Sequence, residues 1–333
     1  MIEREQFAPD RPPHGGALTR RRAAAMGLGG SAVITSLSWA TPAILTSPAS
    51  AQGSVPSVFT VVGNAGTVLG GPDGITWTVQ TSGTSSALRG VVFDPGLALW
   101  IAVGASGTIL TSLDGLAWTP RTSGTSDQLN RVVRRTGLLV AVGNAGTILT
   151  SPDGITWTAR TSNTSVDLQG VGVNAALFVA AGTGGVVLTS PDGITWTAQT
   201  SNTTQNLNAV ASDGSGWVVV GNVGDVITSP DGTTWTVQNS GSFEQLNAVA
   251  HNGAGLYVTV GSFGTILTTP DGVTWTASTS GVGGALIGVG HDGVGQWLAV
   301  GQSGVILTSP DATTWTAQTS GTTSLLWDID TTN

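Results

Sequence analysis

Apolar residues in this chain come in short clusters that recur about every 40 residues. One cluster is Leu-x-x-Val, seen as Leu88 with Val91, Leu129 with Val132, Leu168 with Val171, Leu207 with Val210, Leu246 with Val249 and Leu286 with Val289. A second places an aromatic or large apolar residue four positions before a glycine: Phe59, Trp100, Leu139, Phe178, Trp217, Tyr257 and Trp297. The third is a G-x-x-G turn followed by a V/I-L-T-S run, such as Gly143 to Gly146 and then Thr147-Ile148-Leu149-Thr150. A polar W-T-A-Q-T-S-like string completes the period. Runs this short, bounded by Gly, Ser and Thr, predict four strands per period, lettered A to D. A helical repeat of this length would need long runs of helix formers, and there are none. Apolar residues on both faces of A and B predict strands sandwiched between neighbouring units. The Thr-rich D strand fits a solvated edge kept polar.

The period is marked most sharply by seven tryptophans, Trp77, Trp118, Trp157, Trp196, Trp235, Trp275 and Trp315, at steps of 41, 39, 39, 39, 40 and 40 residues. Each ends nearly the same heptapeptide: GPDGITW, SLDGLAW, SPDGITW twice, SPDGTTW, TPDGVTW and SPDATTW. The predicted architecture is an all-β, seven-bladed propeller of four-stranded blades. Its closure is written in the two ends. The first period begins at strand B, Val58 to Val62, with no A strand before it, and the chain finishes with an unmatched one, Leu326-Trp327-Asp328-Ile329. The C-terminal strand is therefore predicted to complete blade one, which removes the open edges of the ring.

Composition adds constraints. There are 49 Gly among 333 residues, 9% charged residues, no Cys and no Lys; all 11 basic residues are Arg. The absence of Cys excludes disulfides, thiolate metal sites, a cysteine nucleophile and a lipoprotein anchor. Residues 1 to 51 are read as a signal peptide. A polar lead ends in Thr19-Arg20-Arg21-Arg22, a mildly apolar stretch runs from Ala23 to Leu45, and Ala49-Ser50-Ala51 forms an A-x-A cleavage site. The arginine run and the long lead are similar to a twin-arginine signal, which implies export of a folded protein to an extracytoplasmic site: periplasmic, cell-surface, secreted or lumenal. Residues 52 to 56 are then a linker and 57 to 333 the propeller. Removing the first 51 residues takes away five of the 11 Arg but only three of the 19 acids, leaving a formal charge near −10. That balance opposes affinity for nucleic acid or an anionic membrane surface, and no membrane insertion is expected after cleavage.

The heptapeptide resembles the Asp-box of bacterial neuraminidase-type (BNR) repeats, usually S-x-D-x-G-x-T-W, although here it is one residue shorter. The segment from about 57 to 331 resembles seven-bladed Asp-box propellers of the kind that includes photosystem assembly factors. The resemblance implies that Asp73, Asp114, Asp153, Asp192, Asp231, Asp271 and Asp311 cap amides in the turn between strands C and D, with the Trp packed beneath. One isolated carboxylate per blade supplies too few oxygens for a cation, so these positions are read as structural, with no metal and no cofactor.

Candidate chemistry is sparse. Neuraminidase-type catalysis implies an arginine triad and a tyrosine nucleophile, but the only tyrosine, Tyr257, stands in the strand-B aromatic column and is read as core. Arg121 and Arg160 share a strand-D column with Gln80, Gln199, Gln238 and Gln318. His251 and His291 occupy one register position in adjacent blades, just before turns, and lie in no nucleophile motif. No catalytic residue is assigned. The sharpest departure from the repeat is an arginine group on the A strands of blades two and three: Arg89, Arg131, Arg134 and Arg135. On strands that line a central channel, these could hold a carboxylate, a phosphate or an acidic partner loop; the competing reading is a salt-bridged rim using Asp94 and Asp127. Recognition is also expected on the D-to-A loops, SGTSSA, SGTSDQ, SNTSVD, SNTTQN, SGSFEQ and SGVGGA. The chain thus reads as an exported, monomeric, non-catalytic binding or assembly module for an extracytoplasmic protein, a glycan or an anionic ligand. The alternatives are a glycan-active protein of neuraminidase architecture and a structural surface protein.

Overall fold

The computed structural model describes residues 58–135 and 137–332. The proposed signal peptide and linker lie outside the described residues. Among those described, no helix is long and apolar enough to cross a membrane. Seven antiparallel sheets of four strands form the blades, each ordered A-B-C-D as in the sequence. Blade one combines Leu326–Thr331 as strand A with Phe59–Gly63, Val68–Gly71 and Thr78–Gln80. The register of closure runs from Phe59 opposite Thr331 to Gly63 opposite Leu326, as the unmatched C-terminal strand predicted.

The Leu-x-x-Val signature has a backbone cause. On a regular strand, residues three apart point to opposite faces. Every A strand, however, carries a bulge after its leucine: Leu88 faces Gly104, the next partner of Val103 is Gly90, and Arg89 is skipped. The same shift passes over Asn130, Gln169, Asn208, Asn247, Ile287 and Trp327. The bulge returns the leucine and the valine to one face, where both enter the same apolar cluster, and it re-aims the residue between them. There are seven such clusters, each shared between neighbouring blades; Leu298, Val300 and Ile306 of blade seven pack with Val61, Leu326 and Ile329 of blade one.

The G-x-x-G turn between strands B and C packs on the D-to-A loop. In blade three the Asn144 amide donates to the Gln128 carbonyl at 2.8 Å. A Cβ on Gly143 would lie 2.1 Å from that carbonyl oxygen, so only glycine allows the approach. Each turn then places its third residue at positive φ: Ala65, Ser106, Ala145, Gly184, Val223, Phe263 and Ser303.

Between strands C and D the turn aspartates accept amide hydrogen bonds. Asp153 accepts from Ile155 and Thr156 at 2.8 Å each and from the Ser151 hydroxyl at 3.0 Å. The Trp157 indole donates to the Gly154 carbonyl beside it. These amides hold the carboxyls of Asp73, Asp153, Asp192, Asp231, Asp271 and Asp311 below the usual carboxylate range; at Asp114 burial is the largest influence but is outweighed by them. Arg121 and Arg160 donate through Nε to the strand-C hydroxyls of Thr111 and Thr150, as Gln199 does to Thr189.

Candidate functional site

The residues skipped by the bulges converge on one mouth of the central channel. Arg89, Asn130, Gln169, Asn208, Asn247, Ile287 and Trp327, with Arg131 and Gln245, line a cavity of about 100 Å³. Most of this ring is carboxamide, and part of it is already engaged. Asn130 donates to the Asn144 side chain and to the Leu168 carbonyl of the next blade, and Asn208 does the same with Asn222 and Leu246. Asn247 donates to the Leu286 carbonyl. These amides bind blade to blade as well as lining the mouth.

The four arginines do not form one cluster. Arg131 is paired with Asp328 of blade one at 2.6 Å, reaching past blade two to do so. Gly90 of blade two lies between, and a Cβ there would be 3.1 Å from the Arg131 Cα. The other Asp328 oxygen accepts the Val91 amide at 3.0 Å. Asp330 similarly accepts the Phe93 amide at 2.7 Å. Strand A has a free inner edge, so these two carboxylates cover amides of blade two that lack a ladder partner there. Burial pushes Asp328 up despite the opposing Arg131 charge. Burial first, with Asp328 adding to it, pushes Asp330 up to about 7 against the Phe93 amide and the Arg134 charge.

Arg135 lies towards the opposite end of the strand, its guanidinium 4.1 Å from the Phe178 ring centre and donating to the Pro191 carbonyl. Arg89 remains at the mouth. Its guanidinium stacks 3.9 Å from the centre of the Trp327 ring, its Nε has no hydrogen-bond partner, and it makes no ion pair with a carboxylate among the described residues. Burial, with Arg131 nearby, weighs against its charge. The salt-bridged alternative needs a correction. Asp94 caps the Gly96 and Leu97 amides and Asp127 accepts from Thr125 and Thr147, and among the described residues neither pairs with an arginine. Both are held by local turns, whereas ring closure brings the distant Asp328 beside blade three. The signal for that pair was present in the repeat: one A-strand column reads Gly90, Arg131, Gly170, Ala209, Ala248, Gly288 and Asp328, two opposite charges among small residues.

Tyr257 is 2% exposed, and burial raises its phenol above the ordinary range. The Nδ1 atoms of His251 and His291 accept the Gly253 and Gly293 amides, and their rings pack on Tyr257 and Trp297. Among the described residues no group of three or more His, Asp or Glu is placed to hold a metal ion.

With this geometry in view, the likenesses to known proteins concern architecture. A family model described as the DUF6242 beta propeller domain matches residues 71–207. Two solved structures similar to the chain are "YCF48 bound to D1 peptide", at 18% identity, and "YCF48 from Cyanidioschyzon merolae", at 19%; each superposes with a TM-score of 0.61. The first covers 76% of this chain and 92% of its own, the second 75% and 90%. These likenesses establish the fold. The chain is a seven-bladed β-propeller. Among curated protein sequences none matches it.

Proposed function

We propose that this propeller is an exported, non-catalytic binding module that holds an acidic group of a partner protein at the channel mouth. The observation that carries the reading is Arg89, a cation without a carboxylate partner among the described residues, set in a cavity rimmed by amide groups. About 100 Å³ suits a carboxylate-bearing side chain or chain end rather than a whole sugar. Stacking on Trp327 presents the guanidinium in a fixed plane, which favours a two-point contact with a carboxylate. Gln169 and Gln245 add carboxamides to the lining, the Gln245 amide donating to the Asn247 side chain.

A protein partner is supported by one of the similar propellers having been solved with a bound peptide. The non-catalytic reading is supported by the burial of Tyr257 and the raised pKa of its hydroxyl, the opposite of what a nucleophile needs. Export rests on Arg20 to Arg22, the apolar stretch and Ala49-Ser50-Ala51, with 57 to 333 as the mature propeller. Arg131 is a poor residue on which to test the site, because its removal would leave Asp328 unpaired. Arg89→Gln is the cleaner variant. Titration calorimetry with an acidic peptide and its amide-substituted counterpart should show binding of the acidic form alone, weakened by salt and by Arg89→Gln. Equal binding of both peptides, or indifference to Arg89→Gln, would exclude the channel mouth. Cell fractionation tests export independently.

A further inference from the structure

A different chemistry stands on the same face of the ring, at blades five and six. Phe243 is 88% exposed, Phe263 74% and Val223 57%. Phe243 lies in the D-to-A loop, at a position where the other blades carry Ser85, Ser126, Ser165, Thr204, Gly283 and Thr323. The loop backbone is the repeated one: the Ser240 hydroxyl accepts the Ser242 amide, as Ser82 accepts that of Thr84. Val223 and Phe263 are the middle residues of the two adjoining B-to-C turns, where the remaining blades place Ala, Ser or Gly. The loop ties these turns together. The Ser240 hydroxyl donates to the Gly224 carbonyl at 2.7 Å, and the Ser262 amide donates to the Gln245 carbonyl at 2.9 Å.

Two of these three residues hold an unfavourable backbone. Val223 has φ of 56° and Phe263 of 55°, the left-handed region that β-branched and bulky residues avoid. Neither strain is repaid by burial, since both side chains face solvent. Other exposed apolar residues, such as Ile75, Ile155, Ile194 and Val273, are different: they recur singly, one per blade, on the C-to-D turn. The surroundings are also one-sided in charge. Beyond Arg160 the chain contains no Arg or Lys, while acidic residues continue to Asp330. Glu244 adjoins Phe243 in the loop, and Asp225 follows the Val223 turn with a buried carboxylate oxygen that has no hydrogen-bond partner.

We propose that Val223, Phe243 and Phe263 form a second docking surface, whose occupant is a peptide segment of another protein carrying a large apolar side chain flanked by Lys or Arg. Apolar anchors give such a contact its affinity, and the acid-only sector selects cationic flanks and repels acidic ones. Strain kept at an exposed position has a function as its compensation. This surface stands independently of the Arg89 reading, because its ligand chemistry is of opposite sign.

The test selects random linear peptides displayed on phage against the full chain, and against the same chain carrying Phe243→Ser and Phe263→Gly. Peptides enriched on the unaltered protein should contain an apolar residue beside Lys or Arg. As synthetic peptides they should bind the double variant roughly tenfold more weakly or worse. Val223→Gly and Phe263→Gly singly should keep or raise the melting temperature, since glycine relieves the positive φ. Equal enrichment on both proteins, acidic peptides as the selected class, or a fall in melting temperature with either glycine would overturn the proposal. Self-association of the unaltered chain that the double variant abolishes would also overturn it, by making a second copy the occupant. Loss of binding to acidic peptides on Arg89→Gln, with these peptides unaffected, would separate the two sites.

Discussion

Blades one to three and blades five and six depart from the same repeat in opposite ways. In the first sector the departures are charged and largely compensated: Arg131 meets Asp328, Asp330 lies within the field of Arg134, Arg135 is held by Phe178 and the Pro191 carbonyl, and Arg89 stands at the channel mouth without a carboxylate among the described residues. In the second they are apolar, exposed and uncompensated, at Val223, Phe243 and Phe263. The difference teaches how to read a repeat protein. A departure that finds a complementary departure in space belongs to the fold, and one that finds none points outward to a partner.

The comparison can be broken most severely at the closure. Deleting residues 325 to 333 removes strand A of blade one, its ladder to Phe59–Gly63 and both aspartates, and should cost several kcal/mol in chemical denaturation. An unchanged midpoint would show that these residues do not close the ring. Asp328→Ala is the next largest. It strands Arg131 and uncovers the Val91 amide, and should cost about 2 to 3 kcal/mol. Adding Arg131→Ala should recover part of that loss, and a double-mutant cycle without coupling would remove the argument for self-neutralisation. Asp153→Ala, which breaks a turn present in both sectors, should cost about 1 kcal/mol and introduce no metal dependence.

A separate test is pH dependence, whose sign distinguishes two sets of aspartates. Asp330 binds its proton more tightly in the fold, with a value about 7 against about 4 unfolded, so the folded state holds the extra proton between those limits. Its contribution is full below about pH 4 and is lost as pH rises through about 7. The turn aspartates, held low, behave oppositely: their contribution is present above the ordinary carboxylate range and lost as acid protonates them. Asp330→Asn should flatten the decline between about pH 4 and 7 in stability curves, and Asp153→Asn should not.

Much of the fold was legible in the sequence. A repeat read through its tryptophans and apolar columns sets the blade count, and an unmatched Leu326-Trp327-Asp328-Ile329 sets the closure, because each strand must bury apolar faces and end its ladder somewhere. The site was legible only as departures. Arg89 and Arg131 could be noticed, but the bulge that turns Arg89 into the channel depends on strand register, which spacing alone leaves open. Phe243 lies in one of the D-to-A loops where recognition was expected, but it was not singled out there, and nothing local joins it to Val223 and Phe263.

The sequence by itself thus determined the repeated unit, its number and the way its ends meet, since these follow from local periodicity and the need to bury alternating faces. Only the tertiary structure decided which departures face one another. Closing a ring places residues 131 and 328 in contact across blades that are far apart in sequence, and it sets loop 240–245 between turns of two different blades; both are relations of geometry that no local pattern encodes.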